Sequence, residues 1–281
     1  SNTWGELGAG EWTACPNRNS FCTAIPTQVR LDKRIAQVAA GSDHTCAITV
    51  DAETYCWGWG DNGELGSALT EQCNFLGEAL CSMVPRKIDA GGPFVAVVAG
   101  FEHTCGLVAG GQAYCWGHEH QGQLGTGDFT LGGPLPRTVS GGLRFASLSA
   151  GGNTTCGVAI DKKAHCWGEN SFGQLGASEP IAAAAPIAVS GSLSFTSLTV
   201  GGEITCAVAA GNTPFCWGHN ANGTVGDGSR GDRKAPTAVI GGRLFRSISA
   251  GTSHACGIAS DGVAYCWGRN NAGQLGSDIA G

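Results

Sequence analysis

Short runs of alternating apolar and small polar residues recur along this chain. Phe145-Ala146-Ser147-Leu148-Ser149 and Phe245-Arg246-Ser247-Ile248-Ser249 are two examples. Period-two alternation with small side chains predicts strands rather than helices. Each run is followed by two more apolar segments around a tight turn. In the last of them, residues 256–259 and 263–267 flank Ser260-Asp261-Gly262. Asp-Gly between apolar runs is a strong hairpin signal.

The pattern is an internal repeat. Five times a cysteine is followed ten residues later by another: Cys46/Cys56, Cys105/Cys115, Cys156/Cys166, Cys206/Cys216 and Cys256/Cys266. Each pair sits in the phrase G-x-x-x-T/A-C-x(9)-C-W-G, and five residues after that glycine a corner G-x-L/V-G begins. A loop follows, then a proline (Pro26, Pro85, Pro136, Pro186, Pro236) placed before a short apolar strand. A unit recurring every 50–59 residues predicts one repeat-built body, with units at about 1–58, 59–117, 118–168, 169–218 and 219–268 and a closing segment 269–281. Folding each hairpin about its turn sets the paired cysteines opposite each other, at a spacing a disulfide can bridge. Each bridge closes a loop of about ten residues and stabilises by roughly 2–3 kcal/mol. Several short strands per unit with glycine corners predict an all-β chain, a β-propeller of about five blades. The recurring Trp57, Trp116, Trp167, Trp217 and Trp267 are expected to pack between blades.

Composition narrows the setting. Only 14% of the 281 residues are charged, and Gly numbers 47, too many for a helical protein and too regularly phased for a flexible linker. No run reaches the 18 apolar residues of a membrane helix, and residues 1–10 do not read as a signal peptide. The fourteen cysteines all find partners by spacing, the two pairs outside the repeat being Cys15/Cys22 and Cys73/Cys81. Zinc ligation is the competing reading, but no Cys-x(2–4)-Cys cluster with histidine at ligand spacing occurs. Disulfides place the chain in an oxidising compartment: secreted, periplasmic or at a cell surface. The formal net charge of −6, with basic clusters that are short and broken by Asp, argues against a nucleic-acid partner.

The phrases at 250–258 (Ala-Gly-Thr-Ser-His-Ala-Cys-Gly-Ile) and 265–276 (Tyr-Cys-Trp-Gly-Arg-Asn-Asn-Ala-Gly-Gln-Leu-Gly) resemble the regulator-of-chromosome-condensation repeat. More closely, they are similar to the cysteine-bearing version found in exported bacterial proteins. The resemblance covers nearly the whole chain. It implies a propeller, seven-bladed in the best-known members, and it implies that a loop-bearing face is available for binding proteins, as in similar propellers that inhibit β-lactamases. The founder's nucleotide-exchange activity is not carried over, because an acidic, disulfide-bonded chain departs from its setting. The copy number departs too: five hairpins stand beside six corners, since Gly5-Glu6-Leu7-Gly8 adds one in front. Both ends therefore share one phase of the repeat, which suits a ring closed by its ends and equally an excerpt from a longer array.

Candidate sites must come from what the copies do not share. The post-corner segments Ala9–Ile25 and Ser67–Val84 are about eight residues longer than their counterparts, and each carries an extra cysteine pair. With Trp12, Phe21, Phe75 and nearby Trp59 they are the expected partner-binding rim. Private cores within these loops are the plain alternative. His44, His103 and His254 share a repeat position and read as structural hydrogen-bonders, whereas His118 and His120, with Glu119 between them and His219 at the position equivalent to His118, are the nearest approach to a metal set. No metal or cofactor is expected from it, and Asp227–Asp232 has too few acids for a calcium loop. No nucleophile elbow, zinc-protease motif or phosphate loop occurs. The expected function is a non-catalytic, secreted or surface protein-interaction module, as a subunit of a larger extracellular assembly. The alternative is a carbohydrate or cell-wall binder using Trp12 and Trp59. An enzyme with its site in the central funnel ranks third, because the inward positions are mostly Ala, Ser, Gly and Val.

Overall fold

The computed structural model describes residues 2–10, 22–23, 25–69, 71–72 and 79–277. They form five antiparallel sheets in chain order, four of four strands and a last one of three. The first is Ile35–Ala40, His44–Thr49, Thr54–Trp59 and Cys81–Lys87. The second is Phe94–Ala99, His103–Val108, Ala113–Gly117 and Gly133–Thr138. The third is Phe145–Gly151, Thr154–Ala159, Ala164–Glu169 and Ala182–Ala188, and the fourth Phe195–Val200, Ile204–Ala209, Pro214–Gly218 and Arg233–Ala238. The last is Phe245–Ala250, His254–Ala259 and Ala264–Gly268. A repeat can be cut at any phase. Here each four-stranded sheet runs from an inner strand through the hairpin and corner to an outer strand, so the outer strand follows its corner.

The alternating runs are the inner strands, and the hairpins fall where the Asp-Gly and related turns put them. Paired cysteines are directly opposite in every hairpin: Cys46↔Cys56, Cys105↔Cys115, Cys156↔Cys166, Cys206↔Cys216 and Cys256↔Cys266. All five bridges are formed, with Cα atoms 4.0–4.1 Å apart. The first four are fully buried between sheets, so Cys56, Cys115, Cys166 and Cys216 belong to the core rather than to any exposed site. Cys256 and Cys266 are half-buried, in the three-stranded last sheet. Cys22 and Cys81 are oxidised as well, while Cys15 and Cys73, with which spacing pairs them, lie outside the described residues.

One expectation needs correcting. The recurrent proline does not precede the apolar strand but lies inside the outer one, at Pro85, Pro136, Pro186 and Pro236. A strand with one free edge tolerates a residue without an N–H, and its register against the hairpin already slips between the second cysteine and the following glycine.

Successive sheets stack face to face, and the tryptophans are the reason. Each indole packs on the preceding unit's corner and donates its N–H to a corner carbonyl: Trp57 to Glu6 (2.8 Å), Trp116 to Glu64 (2.8 Å), Trp167 to Gln123 (3.0 Å), Trp217 to Gln174 (3.0 Å) and Trp267 to Thr224 (2.9 Å). The second corner glycine lies so close that a Cβ on Gly66, Gly125 or Gly176 would meet the next indole at 2.7–3.0 Å. The threonine before the first cysteine donates to the same carbonyl from Thr45, Thr104, Thr155 and Thr205. His44 and His103 complete this lattice by bonding Thr104 (2.8 Å) and Thr155 (2.7 Å) across the sheet boundary. Burial pushes them down to about 4 and about 3 respectively, so both are neutral hydrogen-bonders. The corners at the two ends share a phase but not an environment. Gly8 sits against Trp57, whereas Gly273 and Gly276 have nothing within 4 Å of a built Cβ.

Candidate functional site

The inner strands converge on an axial mouth of about 210 Å³, lined from every sheet by residues such as Gly41, Gly100, Gly151, Gly201 and Gly251. A Cβ on Gly151 or Gly201 would run into the neighbouring sheet's carbonyl, of Gly201 and Gly251 respectively. Glycine is used here for close backbone approach. The lining is Ala, Gly, Ser, Val, Phe and Thr, with no titratable side chain. It offers neither an acid nor a base to a substrate, so the mouth lacks the clustered carboxylates that a funnel active site needs.

The corner end of the sheets differs from unit to unit. After the second corner glycine the connection to the outer strand takes residues 126–132, 177–181 and 227–232 in the second, third and fourth sheets, but 67–80 in the first. In the third and fourth sheets an asparagine two residues past Trp-Gly holds this loop. Asn170 accepts the Leu175 N–H through Oδ1 (2.9 Å) and donates through Nδ2 to the carbonyls of Ala177 (3.0 Å) and Pro180 (2.7 Å). Asn220 does the same with Val225 (2.9 Å), Ser229 (3.2 Å) and Gly231 (3.0 Å). In the first sheet that position is Gly60, and a Cβ there would collide with Leu69 Cδ1. An apolar side chain from the long loop fills the slot that the asparagine side chain occupies elsewhere. The feet of this loop are tied by a bridge between Gln72 and Leu80, by Leu80 N–H to Asp61 (3.3 Å), by the Arg86–Glu71 ion pair, and by the oxidised Cys81.

Of the expected partner-binding residues, Trp12, Phe21 and Phe75 lie outside the described residues. Trp59 is described: it ends the third strand beside Cys81, half-buried, edge-on against Trp4 with ring centroids 4.4 Å apart. The contact with Trp4 makes it part of a two-ring cluster rather than a lone projecting ring. The neighbouring rim position holds a cleft of about 250 Å³ lined by Asn62, His118, Glu119, His120, Phe129 and Thr130 among others. His118 and His120 meet edge to face at 4.4 Å, and His118 Nδ1 lies 3.1 Å from Glu102. His219 makes the equivalent contact with Glu203 at 2.8 Å and stands against Phe172. No group of three metal-ligating side chains comes together among the described residues. Asp227 and Asp232 are used internally as well. Asp227 accepts from Ser229 and from Arg233 (2.5 Å), and Asp232 accepts the Asn220 N–H (2.9 Å). Burial opposes the Asp227 charge, but hydrogen bonds from Ser229, Arg233 and Asn220 hold it down to about 2.

Glu64 went unnoticed in the sequence, and Glu119 stood out there only as the residue between His118 and His120. Glu64 and Glu119 are buried, and burial pushes both up to about 7 against the N–H groups that bond them. The signal was present in the columns of the repeat: Glu64 stands where other corners have Gln123, Gln174 and Gln274, and Glu119 where they have Asn170, Asn220 and Asn270.

Comparison with known proteins fits this frame. The Arabidopsis thaliana ultraviolet-B receptor UVR8 is 34% identical over 62% of this chain and 37% of its own length. The mitochondrial RCC1 domain-containing protein RUG3 of the same plant is 32% identical over 63% and 39%. The chain thus spans about two fifths of these relatives. Among solved structures, human WBSCR16 superposes with a TM-score of 0.83 at 20% identity, covering 98% of this chain and 73% of that one. Prp20p of Saccharomyces cerevisiae does so at 0.71 and 24%, covering 87% and 60%. The RCC1-like domain family matches residues 1–280. Repeat, tryptophan-corner lattice and family match agree: the chain belongs to the RCC1-like domain family, on a β-propeller architecture.

Proposed function

We propose that this chain is a non-catalytic protein-interaction module, exported to an oxidising exterior as in the bacterial cysteine-bearing version of the repeat, and secreted or held at a cell surface. Its partner docks on the rim that carries the segments 9–25 and 67–84. The observation that carries the reading is the 67–80 connection, the longest of the post-corner loops between described strands and one whose feet are tied before any partner arrives. A loop whose feet are already tied has fewer conformations to lose on binding, so more of its contact energy appears as affinity. Oxidation of every described cysteine supports the exported setting. A receptor-kinase ectodomain from Physcomitrella patens superposes with a TM-score of 0.56, so this architecture is compatible with that exterior. Yeast RCC1 (Prp20) has been solved bound to Kap60, which supports a protein as the class of partner. Nucleic acid, metal and cofactor have no place in the reading.

The test is to shorten both segments to the length of residues 177–185, their counterpart between Gly176 and Pro186, and compare partner capture from the extracellular fraction, with the intact protein as reference. Loop closure depends weakly on length, so the sheets stay folded. Affinity is expected to fall more than about tenfold, equivalent to roughly 1.4 kcal/mol. Unchanged affinity in a folded, trimmed protein would move the site off this rim.

A further inference from the structure

Glu119 occupies the rim position that asparagine fills in other units, and it performs half of the asparagine's work. Its Oε2 accepts the Leu124 N–H at 2.7 Å, five residues on. Asn2, Asn170, Asn220 and Asn270 make that same bond to Leu7, Leu175, Val225 and Leu275 at 2.9–3.0 Å. The other half is missing. In Asn170, Asn220 and Asn270 the second side-chain atom is an N–H donor aimed at carbonyls of the post-corner loop, including Ala177, Pro180, Gly231 and Ser277. In Glu119 it is Oε1, which is enclosed and has no partner. A carboxylate oxygen cannot donate, and it repels the carbonyl oxygens that line such a slot. A carboxylic acid can donate, because its O–H replaces the amide N–H.

We propose that Glu119 is a proton-operated staple: neutral, its Oε1–H donates into the 126–132 loop and holds it as asparagine holds the loops of the third and fourth sheets, and loss of the proton releases that loop. The surroundings favour the neutral acid. Only 2% of the residue is exposed, and a Cβ on Gly132, from the loop itself, would lie 3.2 Å from its Cβ. Burial is the main cause of the upward shift to about 7. The Leu124 N–H opposes the shift and the charge of Asp128, on the loop, adds to it. From the same segment His118 and His120 face the cleft, His118 held below its ordinary value by burial although Glu102 pulls it up. From the first sheet the cleft is lined by Asn62, whose amide is bound to Glu64. A raised carboxyl gives stability that is complete below its unfolded value of 4.5 and is lost as pH rises through about 7. The loop that forms one wall of the His118–Phe129 cleft is therefore closed in acid and loosened above neutrality.

Amide exchange from pH 5 to pH 8, corrected for the intrinsic pH dependence, reads this out on the protein alone. Protection of the loop's Gly127 N–H, which bonds the Ala184 carbonyl at 2.7 Å, should fall by at least about tenfold relative to Leu175 and Val225, the factor that one unit of pKa displacement represents. Glu119→Gln, which carries the donor permanently, should abolish the difference, and Glu64→Gln should leave it. The Glu119 carboxyl carbon should titrate near neutrality by NMR. Parallel behaviour of Gly127, Leu175 and Val225 across the range would overturn the proposal without any variant. So would a Glu119 carboxyl titrating in the ordinary range, or a pH dependence that persists in Glu119→Gln.

Discussion

The corner loops of the first and third sheets solve one problem by opposite means. Both must cross from a third strand to an outer strand over the same buried corner. The third does it in residues 177–181, with Asn170 bonding one N–H and two carbonyls. The first takes residues 67–80, leaves the asparagine position as Gly60, plugs the space with Leu69 and fastens its far end at the oxidised Cys81. A polar staple fits a short loop because every buried backbone group there can reach the one amide. The long loop instead fills that slot with Leu69 and is held at its end by the oxidised Cys81. The frame beneath is shared, and this frees the rim to vary without endangering the stack.

Three measurements can break or sharpen this comparison. The largest effect should come from the shared frame. Trp167→Ala removes a fully buried indole and its bond to Gln123, at an expected cost of about 3–5 kcal/mol in chemical unfolding. Trp267→Ala should cost distinctly less, because Trp267 is only half-buried. Equal losses would mean that the tryptophans do not act through burial between sheets. Next is the staple itself. Asn170→Ala strands the Leu175 N–H and two carbonyls and should destabilise by about 2 kcal/mol. Loss of amide protection should be confined to residues 171–181. If the melting temperature and exchange stay at their original values, the staple contributes nothing. The smallest effect is expected at Gly60→Ala. The added methyl meets Leu69 and Leu65, whose flexible side chains yield at about 1 kcal/mol, and the cost should vanish in Gly60→Ala/Leu69→Ala. A cost that survives the double change would place the strain in the backbone rather than in the apolar plug.

Much of the frame was legible in the chain. Cys156 and Cys166 could be set opposite each other from a spacing of ten and a turn, because hairpin register is a local property. The same reasoning covers Cys46/Cys56, Cys105/Cys115, Cys206/Cys216 and Cys256/Cys266, but it does not say that the last pair is half-buried where the others are enclosed. Trp167 could be assigned to an interblade position because it recurs, although its hydrogen bond to the Gln123 carbonyl could not. The proline of the outer strand was placed before that strand rather than inside it, since whether Pro186 precedes the strand or sits within it depends on which edge is free. Of the rim, only the unusual length of the 67–80 connection and the odd histidines were visible. His118, Glu119 and His120 stood out only as the nearest approach to a metal set, with no metal expected, and the bond from the Leu124 N–H to Glu119 could not be read from them.

Strand identity, hairpin register, the five hairpin cysteine pairs and the stacking of similar units follow from the sequence alone, because each depends on residues close in the chain or on periodic repetition of one solution. The burial that raises the Glu119 carboxyl, the plug at Gly60 and the use of Asp227 as an internal acceptor were decided only by tertiary structure. Each depends on how far a carboxyl or a Cβ lies from groups on another segment and on how much water remains between them, and no local pattern encodes either quantity.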